Sequence, residues 1–533
     1  MVSNEIYTGA GASATLIPEM EFDIGQGFEQ LNDKLSINSE NLKEVEWNLS
    51  GGVADKLLIV NILKGCMAKV TVYATNTLVV RIPEQVLMIK SNTVDSITFN
   101  VALATETPDT KSDKVKVVLQ AFGAPLFRPS SAADKPYLLS DQWLGLVNSI
   151  MPPTLDVENR QYNLAMGASR DFGFQFKGKE TIGNGSLDVS VNSGLWLYYT
   201  LGKMSIAGTT TASSHLGAPV ENAIYLNTTA PKNTKFRRVI EGTGGEKTFL
   251  PPLHGEPTTE CKLVNSTIVN GVPIIANNFT YDFTATNGAI LPSFALEITN
   301  EKDAQTLTDG VDAKPRENIW SRIYTGCQVN SLTFSFEEGM ELKSTVDFMS
   351  RRIFDAPTGY VPKAGKTDVT KLLNYNTDQD ANKPFMFSDG EIRIFGQEYA
   401  RVKSGTLTIT NTLTPHSFIG NYDRSITSAH TAGQRIYDLS LTLLITDSEI
   451  WDKLREQNEA ENQVDGSLIS LIFTKNDEDG ADAEQITLTL DDYIVTNVDI
   501  PFPEDRGPIE ATMTVAPRTM KTAQYIGKWA IMG

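Results

Sequence analysis

Gly326-Cys-Gln-Val-Asn-Ser-Leu-Thr-Phe-Ser-Phe336 and Gly433-Gln-Arg-Ile-Tyr-Asp-Leu-Ser-Leu-Thr-Leu443 decide how this chain is read. From Leu332 and from Leu439 onward an apolar residue falls on every second position, the period at which a strand returns to the same face. The two stretches also match position by position. Val329, Leu332, Phe334 and Phe336 fall on Ile436, Leu439, Leu441 and Leu443, and Thr333 and Ser335 fall on Ser440 and Thr442. Upstream of them, Ser293-Phe-Ala-Leu-Glu-Ile-Thr-Asn300 resembles Ser404-Gly-Thr-Leu-Thr-Ile-Thr-Asn411. Paired likeness of this kind reads as a duplicated β domain. The alternative is two unrelated amphipathic strands that share β composition.

The rest of the chain has the same texture. Val70–Ala74, Thr77–Ile82, Ser96–Val101 and Lys114–Leu119 are short, β-branched and bounded by turn residues. Phe172–Lys177, Ser186–Val191 and Leu195–Tyr199 read as further strands, as do Ser467–Phe473, Gln485–Leu490, Tyr493–Val498 and Ile509–Val515. Residues 202–275 are rich in Gly, Thr, Pro and Asn and read as a long loop or a set of short edge strands. Two helices are expected. One covers Asp141–Ile150, with Asp141 as N-cap and Trp143, Leu144, Val147 and Ile150 near helical spacing; Pro152 and Pro153 stop it. The other starts at the capping box Thr446-Asp-Ser-Glu449 and carries Ile450, Trp451 and Leu454. The expected organisation is an N-terminal accessory β domain (1–125), a linker with a short helix (126–150), a first β-sandwich with a long loop insertion (151–352), a connecting loop (353–386) and a second sandwich (387–533).

Composition narrows function. Hydrophobic residues are 41% and charged residues 21% of the 533, a globular balance in which no apolar run is long enough for a membrane helix. Met1-Val2-Ser3-Asn4-Glu5 lacks the basic-then-apolar order of a leader, so synthesis in a cytoplasm is expected. The formal charge of −19 argues against gripping nucleic acid, which depends on Lys and Arg at phosphates. Cys66, Cys261 and Cys327 are far apart with no CxxC, and His215, His254, His416 and His430 form no HxxxH face, so neither a cysteine zinc site nor a zincin motif is present. Gly9-Ala-Gly11 lacks the Lys-Ser/Thr of a phosphate loop and reads as a strand entry. Asn376-Thr-Asp378-Gln-Asp380 has alternating oxygen donors, but Ala381 and Phe387 stand where a calcium loop needs Gly and Glu. Asn476–Gly480 reads as a hairpin turn between Phe473 and Ile486. No catalytic residue, cofactor or metal is assigned, and the chain is expected not to be an enzyme.

Several segments resemble phage tail tube proteins of the larger, duplicated type. They are Met151–Arg160 with Gly167–Arg170 and Leu195–Gly202, then Tyr324–Phe336 with Gly339 and Leu342–Asp347, and finally Ile500–Pro503 with Gly507–Ile509. The resemblance covers residues 151–533. It implies mainly β, tandem sandwich domains with a flanking helix. Copies would form rings whose sheets join into an inner barrel, and the rings would stack into a conduit through which double-stranded DNA passes without specific binding. Two such domains per chain imply a trimer with pseudo-sixfold symmetry; a hexamer is the alternative. Other tail proteins are further implied partners, and the implied location is the virion tail, without a membrane. Asp347, Arg351 and Arg352 are candidate inter-ring residues. Segments 352–386 and 411–432, polar and turn-rich, are candidates for ordering on stacking; they hold Asn376, Asp378, Asp380, His416 and Asn421 as candidate contacts. Competing readings are a baseplate or capsid-decorating β protein, and a carbohydrate-binding β-sandwich suggested by Trp196, Tyr198 and Tyr199.

Overall fold

The computed structural model describes residues 12–19, 22–23, 35–38, 41–47, 63–73, 80–93, 96–103, 114–119, 127–128, 137–138, 143–162, 173–207, 224–227, 236–241, 247–250, 261–263, 266–269, 272–275, 278–301, 319–355, 382–394, 397–398, 401–417, 427, 429–445, 468–475, 483–501, 508–529 and 531. In chain order the first strands are β1 (Ala12–Pro18), β2 (Phe22–Asp23), β3 (Leu35–Ile37), β4 (Glu44–Trp47), β5 (Met67–Tyr73), β6 (Val80–Asn92), β7 (Ser96–Phe99) and β8 (Lys114–Leu119). Next are β9 (Phe127–Arg128), β10 (Tyr137–Leu138), β11 (Leu146–Met151), β12 (Leu155–Tyr162), β13 (Phe174–Ile182), β14 (Asn184–Ser190), helix α1 (Leu195–Leu201) and β15 (Gly202–Ala207). Then come β16 (Ile224–Asn227), β17 (Phe236–Glu241), β18 (Lys247–Leu250), β19 (Cys261–Leu263), β20 (Ser266–Val269), β21 (Val272–Ile275), β22 (Phe279–Ala285), β23 (Phe294–Glu301), β24 (Ile319–Glu337), β25 (Lys343–Met349) and β26 (Arg352–Asp355). The chain continues with β27 (Gly390–Ile394), β28 (Gln397–Glu398), β29 (Val402–Thr410), β30 (Leu413–His416), β31 (Ala429–Ala432), β32 (Ile436–Leu444), β33 (Leu468–Thr474), β34 (Gln485–Asp499) and β35 (Glu510–Gly527). The protein is mainly β. No helix among the described residues is long and apolar enough to cross a membrane.

One antiparallel front sheet organises the body, in the order β11-β14-β25-β24-β29-β32-β35-β34. The first four strands come from the stretch before residue 353 and the last four from the stretch after 387. They are joined where β24 pairs with β29, Leu332 opposite Ile409 and Phe334 opposite Leu407. The matched stretches of the sequence, in β24 and β32, therefore flank the same strand, since Leu407 also lies opposite Leu439. Alternation explains the burial: Leu332, Phe334, Leu407, Ile409, Leu439, Leu441, Met513 and Val515 face the core, while the intervening Thr and Ser face outward.

Two back sheets lie behind the front sheet, reached by strands long enough to serve two sheets, and the second takes β15 and β22 from the first half of the chain. Residues 319–327 of β24 pair with β23 and β26, and β23 pairs with β1. Gly326 lies where β24 leaves this back sheet for the front one and takes a left-handed φ of 62°, a conformation that costs other residues steric strain. Its amide donates to the buried Glu19 carboxylate at 2.8 Å, and Ser293 donates to the same carboxylate at 2.5 Å. In the second half, β34 and β35 turn the corner. Their N- and C-terminal segments respectively pair with β33 and with β22, the latter joined to β15, and β33 pairs with β27. A register shift at Thr489/Leu490 and a left-handed Asp492 (φ 51°) accompany the bend.

One core fills the space between these sheets and takes residues from both halves. Phe336 of β24 lies 5.6 Å from Phe473 of β33, and Tyr281 of β22 stacks 6.1 Å from Tyr525 of β35. The segment 353–386 therefore does not divide the body into separate cores. The first back sheet is buried on both sides: Leu16, Phe294, Leu296 and Tyr324 face the body, whereas Ile17, Ala295 and Ile323 pack with Val70, Ile89, Phe99 and Val117 of the N-terminal sheet β2-β8-β5-β6-β7-β4-β3. The expected accessory domain thus lacks its own boundary at β1, which is a strand of the body.

Two expected elements are corrected. Leu146–Met151 is a strand and does not belong to a helix. A bulge between Val147 and Ser149 puts Val147 and Ile150 against the same core although they stand three apart, which mimics helical spacing. Leu195–Leu201 is a helix, not a strand, and it packs on β24, β15 and β22. Nearly every side chain of that helix is buried, so its apolar run has no period to read. Gly202 (φ 97°) ends it, its backbone N–H donating a hydrogen bond to the Tyr198 carbonyl. The expected strands 485–490 and 493–498 are one strand, and the last strand runs on to Gly527. Segments within 202–275 form the small sheet β18-β17-β16-β19 and the hairpin β20–β21. The helix expected from Thr446 lies outside the described residues.

Gly326→Ala is expected to lower stability by about 1–2 kcal/mol through the left-handed backbone, read as a fall in the urea midpoint. Gly339→Asn, at a left-handed turn with nothing within 4 Å of a new Cβ, is expected to leave the midpoint unchanged.

Candidate assembly surfaces

The outward face of the front sheet is a field of hydroxyls and carboxylates in cross-strand rows. One row runs Asp188, Thr345, Thr333, Thr408, Asp438. Thr345 Oγ1 donates to Asp188 at 2.9 Å, and the Thr333 and Thr408 hydroxyls bond to each other at 3.1 Å. A second row runs Met151, Ser186, Asp347, Ser331, Thr410 and Ile436, polar in the middle with an exposed methionine and isoleucine at its ends, and Ser331 Oγ donates to Asp347 at 2.8 Å. Lys343, Ser335, Thr406, Ser440 and Thr514 make a third. Glu337, Ser404, Thr442, Thr512 and Asp499 make a fourth. Carboxylates outweigh the single lysine of these rows.

This sheet ends on two strands. β11 pairs on one side with β14, and residues 492–499 of β34 pair on one side with β35. Each presents the other side of its ladder as an edge among the described residues. Alternation of direction across eight antiparallel strands leaves the two edges running oppositely, so one can pair with the other on a neighbouring copy in the same antiparallel sense as β24 with β29.

A second surface is the hairpin β12–β13. Among the described residues it joins no larger sheet, and nearly all of its side chains are exposed. Tyr162 is 45%, Phe174 51% and Phe176 42% exposed, and Tyr162 stacks on both phenylalanines at 5.6 and 5.5 Å. Sequence reading passed over Leu155–Tyr162 as a strand. The signal was there in the pairing of Tyr162 with a second aromatic run, but with both faces mixed no buried side marks it.

The residues singled out from sequence fall in different places. Asp347 is on the polar face. Arg351 is 2% exposed and holds three segments of the chain together: Nε donates to the Thr427 carbonyl at 2.8 Å, a terminal nitrogen donates to the Gly65 carbonyl, and its own carbonyl accepts the Thr427 amide at 3.1 Å. Burial pushes its guanidinium pKa down, and the fields of Cys66 and Glu19 partly offset that. Arg352 adds a bond to the Lys64 carbonyl at 3.1 Å. Arg351 is thus an internal fastener of the N-terminal sheet, and its burial removes it from the exposed surface. His416 bonds through Nε2 to the Thr431 hydroxyl at 2.7 Å, within the hairpin β30–β31. Asn376, Asp378, Asp380 and Asn421 lie outside the described residues. Trp196 and Tyr199 sit in the core against Phe294, and burial raises the Tyr198 pKa to about 12, so this aromatic group is packing and not a sugar platform. Among the described residues no group of three or more His, Cys, Asp or Glu is placed to hold a metal ion.

The described residues thus form a continuous β-sheet with one polar face and two edges open among them, the kind of surface on which further strands can add. The sequence profile of the phage tail tube protein family matches residues 117–516, and the chain belongs to that family. The family is one of structural tail components, which places the chain among virion tail proteins. No curated protein matches the chain.

Burial of His430 beside Arg351, with His416 adding to the effect, lowers its pKa to about 4. An imidazole kept neutral in this way favours folding above its unfolded pKa, and that contribution is lost as pH falls from about 6.5 toward 4. Wild type is therefore expected to lose up to about 3 kcal/mol more than His430→Gln over that window, measured by urea unfolding at stepped pH.

Proposed function

We propose that the chain is the tube subunit itself: it polymerises into stacked rings whose front sheets join edge to edge into one barrel, and the barrel is the channel for DNA ejection. The observation that carries this reading is the eight-strand front sheet, four strands from each half, whose edges β11 and residues 492–499 of β34 are open among the described residues. Unpaired edges attract further strands, and closure into a ring removes them. The internal β24–β29 seam serves as the pattern for the seam between chains. Three chains then supply six four-strand segments, a trimer with pseudo-sixfold symmetry.

The hydroxyl and carboxylate rows become the channel wall in this arrangement. Phosphates are repelled by Asp188, Asp347, Asp438 and Asp499 and meet few cations that would release counterions and hold them. Double-stranded DNA therefore passes without being bound. Asp347 acts here as a lining residue. Synthesis in the host cytoplasm, and contacts with other tail proteins at the tube ends, complete the reading.

Negative-stain microscopy of concentrated purified protein is expected to show open tubes of uniform bore with end-on symmetry of three. Isolated particles at every concentration would overturn the reading. Ile494→Lys, an exposed change on the β34 edge, is expected to leave the circular dichroism spectrum intact and abolish rings, since edge lysines block strand addition.

A further inference from the structure

The hairpin β30–β31 stands between β29 and β32 and, among the described residues, pairs with no other strand. Its base is tied to the body by backbone donors. The Leu413 amide donates to Asn330 Oδ1 at 2.9 Å, and the Ala432 amide to the Ala289 carbonyl at 2.8 Å. Just before β31, Thr427 exchanges two bonds with Arg351: its amide donates to the Arg351 carbonyl at 3.1 Å, and its carbonyl accepts from Arg351 Nε at 2.8 Å. Arg351 also donates to the Gly65 carbonyl, and Arg352 donates to that of Lys64. One buried guanidinium therefore joins the return strand of the hairpin to a turn of the N-terminal sheet.

His430 lies in this junction, on β31 opposite Pro415, and is 2% exposed. Burial lowers its pKa, and Arg351 and then His416 act in the same direction. His416, on the facing strand, holds the Thr431 hydroxyl through Nε2. The other charged or titratable groups described around the junction are Arg352 and Lys64, the Cys66 thiol and Glu19, the last two acting on Arg351. Arg435, past the hairpin base, is committed to Asn411 Oδ1 at 2.9 Å. A proton on His430 thus puts a second positive charge beside the buried Arg351 guanidinium, and burial and a like charge both disfavour it. Opening the hairpin relieves this at least disturbance, because single bonds hold it where continuous ladders hold β29 and β32.

We propose that the β30–β31 hairpin is an acid-sensitive latch: protonation of His430 releases the hairpin from Arg351 while the front sheet stays formed. At neutral pH the imidazole is uncharged and the latch is closed. As pH falls, the charged imidazole is favoured in the opened hairpin, where water reaches it. Acid thereby changes the shape of one end of the front sheet without loss of the fold. The inference stands on the chain alone and does not depend on the tube reading.

Hydrogen exchange of the full-length chain at pH 7 and at about pH 4.5, corrected for the effect of pH on chemical exchange, tests it. With a pKa of about 4 when closed and 6.5 when opened, the opened fraction rises about fiftyfold over that interval. Amides of Leu413–His416 and Ala429–Ala432 are therefore expected to lose protection about tenfold or more, with β29 and β32 unchanged. His416→Gln is expected to keep this loss and His430→Gln to remove it. Unchanged hairpin protection in wild type, an equal loss in β29 and β32, or a loss that survives in His430→Gln would each overturn the latch. If His430→Gln does not fold, the comparison of hairpin with sheet in wild type decides by itself.

Discussion

The architecture depends on one strand having to bury the same apolar face in two sheets. β24 is far longer than an ordinary strand and passes from the back sheet to the front sheet at Gly326. The change of sheet takes the Gly326 amide out of the ladder, and a buried amide without a partner is costly. Glu19 supplies the partner, from a segment more than three hundred positions away. The N-terminal residues therefore belong to the body's main joint, and β1 beside β23 holds Glu19 at that spot.

From that joint the rest follows by burial. The back sheet β1-β23-β24-β26 is covered on one side by the body and on the other by the N-terminal sheet. Covering both sides leaves no polar face, which is why Phe294-Ala-Leu296 is apolar without a break. Arg351 then commits its guanidinium to carbonyls of the N-terminal loop and of the segment leading into β31, a buried cation that fixes how these elements sit. The front sheet has the opposite character, with one covered face and one face of Thr, Ser and Asp. That asymmetry, with two edges open among the described residues, is what the proposed sharing of the sheet between copies rests on.

Much of this was legible in the residues. Strict alternation located β8, β29, β32 and β33 nearly to the residue, but the likeness of the 326–336 and 433–443 stretches does not mark equivalent strands: β24 is the fourth strand of the first half of the front sheet and β32 the second of the other half, and they share only the neighbour β29. Alternation failed where tertiary structure changes the spacing. The bulge in β11 made a strand look like a helix, and the uniformly buried α1 made a helix look like a strand. Periodicity says nothing about which strands continue across a bend, so β34 read as two pieces and β35 as too short. The site was less legible than the fold. Period-two hydroxyls mark an outward face without saying that it is a channel wall, and Arg351 reads as surface until Gly65 and Thr427 are seen beside it.

Hydrogen exchange on the free chain and on the assembled form addresses edge closure most directly. If β11 and the last residues of β34 complete each other between copies, amides of Leu146–Met151 and Asp492–Asp499 will exchange at least tenfold more slowly in the assembly, while amides of β29, already paired on both sides, will hardly change. Equal exchange of both edges in the two forms would contradict edge-to-edge closure.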